Sequence, residues 1–161
     1  MDLLRILHHR AVRYMIVGGE AVIHYGYARL TGDIDLFYES SSENAERLFE
    51  ALREFWGGPV PEVDKGKELR EPGVILQFGV PPNRIDLLNR IDGVEFGECW
   101  NGRITVPFSG EETDFQVHYI GIDQLIKNKE SSGREKDMDD MRFLREIVKR
   151  QLNGSNHPRT D

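Results

Sequence analysis

Two aspartates one residue apart, Asp33 and Asp35, stand in the run Asp33-Ile34-Asp35-Leu36-Phe37-Tyr38. The alternation of acidic and apolar residues predicts a strand. Successive strand side chains face opposite ways, so Asp33 and Asp35 share one face while Ile34 and Leu36 anchor the other in a core. Two carboxylates side by side repel each other unless a cation sits between them. Hard divalent cations accept such oxygen ligands, and Mg²⁺ (or Mn²⁺) commonly takes one or two carboxylates plus substrate phosphates. A third carboxylate on a neighbouring strand would complete a two-metal site. Asp86 is the candidate, in Arg84-Ile85-Asp86-Leu87, where Ile85 and Leu87 face inward and Asp86 faces away.

Upstream, the apolar run Tyr14-Met15-Ile16-Val17 stops at Gly18-Gly19. A strand that ends in Gly-Gly and opens a helix lets backbone N–H groups approach a phosphate closely. Arg29 and Thr31 precede Asp33 in the connecting loop. Arg29 could hold a phosphate or pair with Asp33, and Thr31 could donate to a phosphate or cap a turn. Each feature alone has an ordinary structural reading, since D-x-D pairs and Gly-Gly turns are common. A strand, Gly-Gly, a short helix, R-x-T-x-D-x-D and a later carboxylate strand are together hard to obtain by accident.

The elements that must position these residues follow from periodicity. Leu3, Leu4, Leu7 and Val12 suggest a short opening helix. Residues 14–17 read as a buried strand, and Glu20 to Tyr27 as a helix with Ala21, Val22 and Tyr25 on one side. Ser40-Ser41-Ser42 offers N-caps for a helix whose stripe is Ala45, Leu48, Phe49, Leu52, Phe55 and Trp56 and which ends at Gly57-Gly58-Pro59. Residues 60–72 read as loop. Residues 74–78 and 84–88 read as two strands, and 103–106 and 116–120 as two more, with a weak stretch over 89–113. From Ile122 two helices appear, split near Ser131-Ser132-Gly133, the second with Met138, Met141, Leu144, Ile147 and Val148 as its buried stripe. The order predicts an α/β (α+β) fold with a mixed central sheet flanked by helices and a helical C-terminus. One domain is expected over residues 1–152, with a core of about 14–120, C-terminal helices of about 122–152, and a polar tail over 153–161.

The 161 residues carry 21 Lys and Arg against 28 Asp and Glu, a net charge of −7. This balance argues against duplex DNA as a partner, though not against a local basic patch over a phosphate. The hydrophobic fraction of 39% with 30% charged residues fits a globular chain and not a disordered one. No apolar run is long enough to predict a membrane span, and the first residues lack a signal-peptide core. Cys99 is the single cysteine, so neither a disulfide framework nor a cysteine metal cluster is expected, and a cytoplasmic setting is the natural one. No His and Cys spacing suggests zinc. His8 and His9 read as surface residues, His24 as a packed helix residue, and Trp56 and Trp100 as core or lid residues.

The residues Gly18, Gly19, Arg29, Thr31, Asp33, Asp35 and Asp86 resemble the nucleotidyltransferase superfamily with the DNA polymerase beta-like fold. Residues 14–38 carry the likeness, YMIVGGEAVIHYGYARLTGDIDLFY. The chain resembles in particular a prokaryotic branch of toxin-type and abortive-infection nucleotidyltransferases. Residues 123–129 and 133–140 are similar to that branch's helix pair with its K…GRxKDxxD pattern. The resemblance implies that Gly18 and Gly19 line a triphosphate turn and that Asp33 and Asp35 bind two Mg²⁺. It further implies that Asp86 positions the attacking hydroxyl, that Lys129 contacts triphosphate, and that Arg134, Asp137 and Asp140 belong to the nucleotide site. Many superfamily members have Gly-Ser at the glycine turn. Gly19 leaves triphosphate to backbone N–H groups and basic side chains.

Read without the resemblance, Lys129, Arg134 and Lys136 could form a solvated helix face. Asp137 could be a helix-end charge or an exposed partner of Arg134. The leading functional reading is an enzyme that moves a nucleoside monophosphate from an NTP to an acceptor hydroxyl on a tRNA 3′ end, a protein side chain or a small molecule. A toxin–antitoxin or phage-defence system is the implied setting, with a cognate operon partner protein. The alternative is an antitoxin-like or regulatory nucleotide-binding partner that uses the same fold without turnover.

Overall fold

A computed structural model describes residues 2–109 and 114–154. Their order is α1 (Asp2–His9), β1 (Tyr14–Val17), α2 (Gly18–His24), β2 (Asp33–Tyr38), α3 (Ser42–Trp56), β3 (Ile75–Phe78), β4 (Arg84–Leu88), α4 (Phe96–Asn101), β5 (Ile104–Ser109), β6 (Asp114–Tyr119), α5 (Ile122–Ser132) and α6 (Glu135–Gly154). The six strands form one mixed sheet in the order β3-β4-β2-β1-β6-β5. β2 runs parallel to β4 and antiparallel to β1, and β1 runs parallel to β6. This is the α+β arrangement, with a mixed sheet flanked by helices, that the sequence predicts.

The sheet is buried on both faces. One face carries Ile16, Leu36 and Leu87 and packs against Leu3 and Leu7 of α1 and Ala45, Leu48 and Leu52 of α3. The other carries Met15, Val17 and Phe37 and packs against Ala21 and Val22 of α2, Cys99 of α4, Leu125 of α5 and Leu144 of α6. Strand alternation puts Asp33 and Asp35 on the second face, in line with Phe37. The helices that flank the acidic residues are therefore α2, α5 and α6, while α1 and α3 support the sheet from behind.

The buried side chain of Asn44 ties the far end of the β1–β2 pair. Its Oδ1 accepts from the Arg13 N–H at 2.7 Å, and its Nδ2 donates to the carbonyls of Arg13 at 3.0 Å and Glu39 at 2.8 Å. Arg13 enters β1 and Glu39 leaves β2, so this one amide clamps both strands where α3 begins. Ser41 caps α3 by accepting from the Asn44 N–H. From this clamp the antiparallel register runs from Tyr14↔Tyr38 to Val17↔Asp35, which brings Gly18 beside Asp35.

Four local expectations change. The second helix starts at Gly18 rather than Glu20, because Gly18 takes φ +62 and turns the chain straight from extended Val17 into the helix. The stretch 60–72 is not all loop. A 3-10 helix at Gly66–Arg70 buries Leu69, whose carbonyl accepts from Tyr38 Oη at 2.9 Å. α4 lies in the stretch with no clear periodicity, since six residues with an internal Gly97 give little helical signal. In α6, Met138 is 51% exposed, and Asp137, Asp140 and Leu144 hold the buried positions. The ion pairs of its aspartates go with a rotation of the helix that turns Met138, expected in the buried stripe, outward. Of the expected polar tail, Asn153 and Gly154 end α6, and residues 155–161 lie outside the described residues.

His8 and His9 are exposed, as expected. The His24 ring is largely exposed yet stacks on Tyr119, with centroids 4.1 Å apart. Trp56 is half exposed at the end of α3, and Trp100 lies under the Arg103 guanidinium. Burial pushes the Cys99 thiol up to about 11, so it stays protonated near neutral pH.

Asn44→Ala removes three hydrogen bonds to strand-end backbone groups without altering the site. It is expected to destabilise the fold by about 2–3 kcal/mol, read as the shift in a urea unfolding midpoint at unchanged slope.

Candidate active site

The two parallel central strands bring the three carboxylates together by register alone. Asp35 pairs with Asp86 and Asp33 with Arg84 across β2 and β4, and Gln77 of β3 pairs with Asp86 from the other side. Parallel neighbours lie roughly 4.8 Å apart, so same-face side chains meet. One oxygen from each of Asp33, Asp35 and Asp86 lies within 4.8 Å of the others. Asp86 is buried, while Asp33 and Asp35 are half-buried at the floor of an open cleft of about 490 Å³.

Like charges at such range are unfavourable, and the surroundings show how the cluster is held. Arg84, on the same face two residues before Asp86, pairs with Asp33 and reaches Asp86 with Nη2 at 3.1 Å from Oδ2. Gln77 Nε2 donates to the same Asp86 Oδ2 at 3.1 Å. Thr31 Oγ1 donates into Asp33, 3.1 Å from both its carbonyl and its Oδ1. Asp35 differs from both. Among the described residues no donor hydrogen-bonds its carboxylate. Burial pushes the Asp35 carboxyl up to about 6, with Asp33 and Asp86 adding to the rise and Arg134 and Lys136 opposing it.

The glycines make room for this cluster. A Cβ at Gly18 would overlap the Asp35 carboxylate, and the left-handed φ independently disfavours a side chain there. A Cβ at Gly19 would lie 2.9 Å from Thr31 Oγ1. The pair therefore admits Asp35 and Thr31 into the space beside the start of α2.

A second charged cluster closes the cleft from α5 and α6. Lys129, 2% exposed, donates to Asp137 Oδ1 at 2.8 Å and Asp140 Oδ2 at 2.7 Å. Ser132 Oγ and Arg134 Nε both donate to Asp137 Oδ2, at 2.6 and 2.7 Å. Arg29 pairs with Asp140 rather than with Asp33. Burial would raise the Asp137 carboxyl, but hydrogen bonds from Lys129, Ser132 and Arg134 win and hold it at about 2. Gly133, with φ +61, turns the chain between the two helices so that Lys129 and Asp137 face each other.

Lys129 is thus no part of a solvated helix face, and Asp137 is no exposed partner of Arg134. The cleft is lined by every candidate site residue named from the sequence except Asp140, which pairs with Arg29 and Lys129. The cations Arg29, Arg84, Arg90, Arg134 and Lys136 all line it, so a basic rim surrounds an acidic floor in a chain of net charge −7. Sequence reasoning missed Arg84 and Gln77. The period-2 alternation that placed Asp86 also places Arg84 on its face, so that signal was present. Gln77 needed the β3–β4 register.

The three carboxylates offer oxygen donors only, which fits a hard divalent cation. Asp86 Oδ1 is buried without a hydrogen bond, 2.9 Å from Arg84 Nε, and among the described residues no donor reaches Asp35. Neither oxygen set is satisfied by protein hydrogen bonds, as a cation site would leave them. Residues 1–156 match the model of a family described as "Nucleotidyl transferase of unknown function (DUF2204)". The match covers nearly the whole chain, and the protein belongs to that family. No curated protein matches the chain.

Two outcomes follow. Asp35 is protonated in the fold up to about pH 6 but ionised in the unfolded chain above about 4. The unfolded state then binds fewer protons, so Asp35 lowers stability as pH rises from about 4 to 6. Asp35→Asn should raise the melting temperature of EDTA-treated protein by roughly 4–8 °C at pH 7.5 and leave it nearly unchanged at pH 4. Lys129→Met leaves two buried carboxylates short of a partner and should destabilise by about 3–5 kcal/mol in urea unfolding.

Proposed function

We propose that this protein is a Mg²⁺-dependent nucleotidyltransferase that moves a nucleoside monophosphate from an NTP to an acceptor hydroxyl. The observation that carries the reading is the convergence of Asp33, Asp35 and Asp86 under a basic rim. Asp33, Asp35 and Asp86 would hold the divalent cations. Bound Mg²⁺, or Mn²⁺, supplies acidification of the acceptor hydroxyl and neutralisation of the phosphate charge. The rim cations Arg29, Arg134 and Lys136 would screen the triphosphate and the charge that develops on the leaving pyrophosphate. Gly18 and Gly19 would let backbone N–H groups approach the phosphates. The acceptor oxygen bonds to the α-phosphorus as the bond to the β-phosphate oxygen breaks, and pyrophosphate leaves.

Asp86 would orient the acceptor hydroxyl once its carboxylate is released from Arg84, whose Nε lies 2.9 Å from Oδ1. Lys129, Asp137 and Asp140 act on this reading through Arg29 and Arg134, whose guanidinium groups they position at the cleft mouth. Lys129 itself spends two of its three N–H donors on buried carboxylates, which leaves one for a phosphate oxygen. The acceptor is a tRNA 3′ end, a protein side chain or a small molecule. The K…GRxKDxxD stretch supports a toxin–antitoxin or phage-defence setting.

The test is incubation with each α-labelled NTP and Mg²⁺, alone and with total tRNA or cell lysate. Transfer of label is expected, lost by a factor of about 10³ or more in Asp33→Ala and in Asp35→Ala while both variants keep wild-type circular dichroism. Transfer that persists in both variants would sink the reading. NTP binding without transfer to any acceptor would favour a regulatory partner.

A further inference from the structure

The two charged clusters differ in how well they are satisfied. Lys129 is fully buried, and both its carboxylate partners are hydrogen-bonded. Arg84 is 29% exposed, lines the cleft, and is badly fitted to Asp86. Its Nε lies 2.9 Å from Asp86 Oδ1, yet the angle makes no hydrogen bond. Both atoms are buried and have no hydrogen-bond partner among the described residues. A buried donor and a buried acceptor left in this state each carry a desolvation penalty. The pairing with Asp33 is close, so the guanidinium lies against two of the three carboxylates and leaves Asp35 without a donor.

We propose that Arg84 is an internal stand-in cation that neutralises Asp33 and Asp86 in the metal-free protein and withdraws into the cleft when a divalent cation binds. This rests on the reading of the triad as a divalent-cation site. A cation on Asp33 and Asp86 needs the lone pairs that Arg84 engages, and two cations cannot share them without strong repulsion. Coordination would also satisfy Asp86 Oδ1, which Arg84 fails to do. The side chain has somewhere to go, because its exposed part already faces the cleft. Arg84 is therefore a positioning residue: it keeps three crowded carboxylates assembled before metal arrives. On withdrawal it joins Arg29, Arg134 and Lys136 on the phosphate side.

The experiment follows the arginine Nε–Hε signals of the ¹⁵N-arginine-labelled full chain in EDTA-treated buffer, with the Arg84 signal assigned by Arg84→Lys. Mg²⁺ is added to a level that saturates the site, fixed by Mg²⁺ titration calorimetry. The expected result is a shift of the Arg84 signal towards that of a solvent-exposed arginine, with faster proton exchange, while the Arg134 signal, whose Nε donates to Asp137, keeps its protection. Arg84→Gln is expected to bind Mn²⁺ at least tenfold more tightly and to melt lower than wild type in EDTA. If Mg²⁺ binds and the Arg84 signal stays unchanged, the inference is overturned while the metal site stands. If neither Mg²⁺ nor Mn²⁺ binds, this inference and the proposed reaction fall together. The wild-type signal decides the matter even if the glutamine variant does not fold.

Discussion

Three carboxylates on two adjacent parallel strands repel one another, and much of this structure answers that repulsion. The parallel register sets Asp35 directly beside Asp86, an arrangement that is unfavourable on its own. It persists because the apolar alternates of the same strands, Leu36 and Leu87, are fully buried in the core behind. Sliding either strand by one residue would relieve the charges and expose that core. The hydrophobic face therefore holds the acidic face in place. The glycine pair yields space to Asp35, Thr31 steadies Asp33, and Gln77 and Arg84 steady Asp86.

The α5–α6 pair solves a different problem. Lys129, Asp137 and Asp140 are buried charges, and buried ion pairs contribute little net stability compared with apolar packing of similar volume. Their use here is directional. Asp140 holds Arg29 and Asp137 holds Arg134, so two guanidinium groups from separate elements stand at one cleft mouth. The same pairs go with a rotation of α6 that turns Asp137 and Asp140 inward and Met138, expected in the buried stripe, outward. The acidic excess of the chain thus has two opposite uses. Asp33, Asp35 and Asp86 crowd the cleft floor with a single arginine between two of them, while Asp137 and Asp140 are paired with cations from α5 and the α2–β2 loop.

The strands and the carboxylate face were legible because period-2 alternation is strong in Asp33–Tyr38 and Arg84–Leu88 and because apolar alternates needed a core. The cap at Ser41 and the stop at Gly57 were legible from turn chemistry. The 3-10 helix around Leu69 and the short α4 were not, since neither is long enough to show a period. The burial of Lys129 was also hidden. A lysine within a polar helix reads as solvated, and only the approach of a second helix reverses that.

By itself the sequence determined which residues could carry the chemistry and which face of each strand they occupy, because alternation and glycine turns are local properties of the backbone. Tertiary structure decided which of them meet. The parallel pairing of β2 with β4 joined residues about fifty positions apart into one cluster, and the packing of α6 on α5 diverted Arg29 from Asp33 to Asp140. Those choices depend on register and on the partner available at each charge, and neither is encoded in any short stretch of the chain.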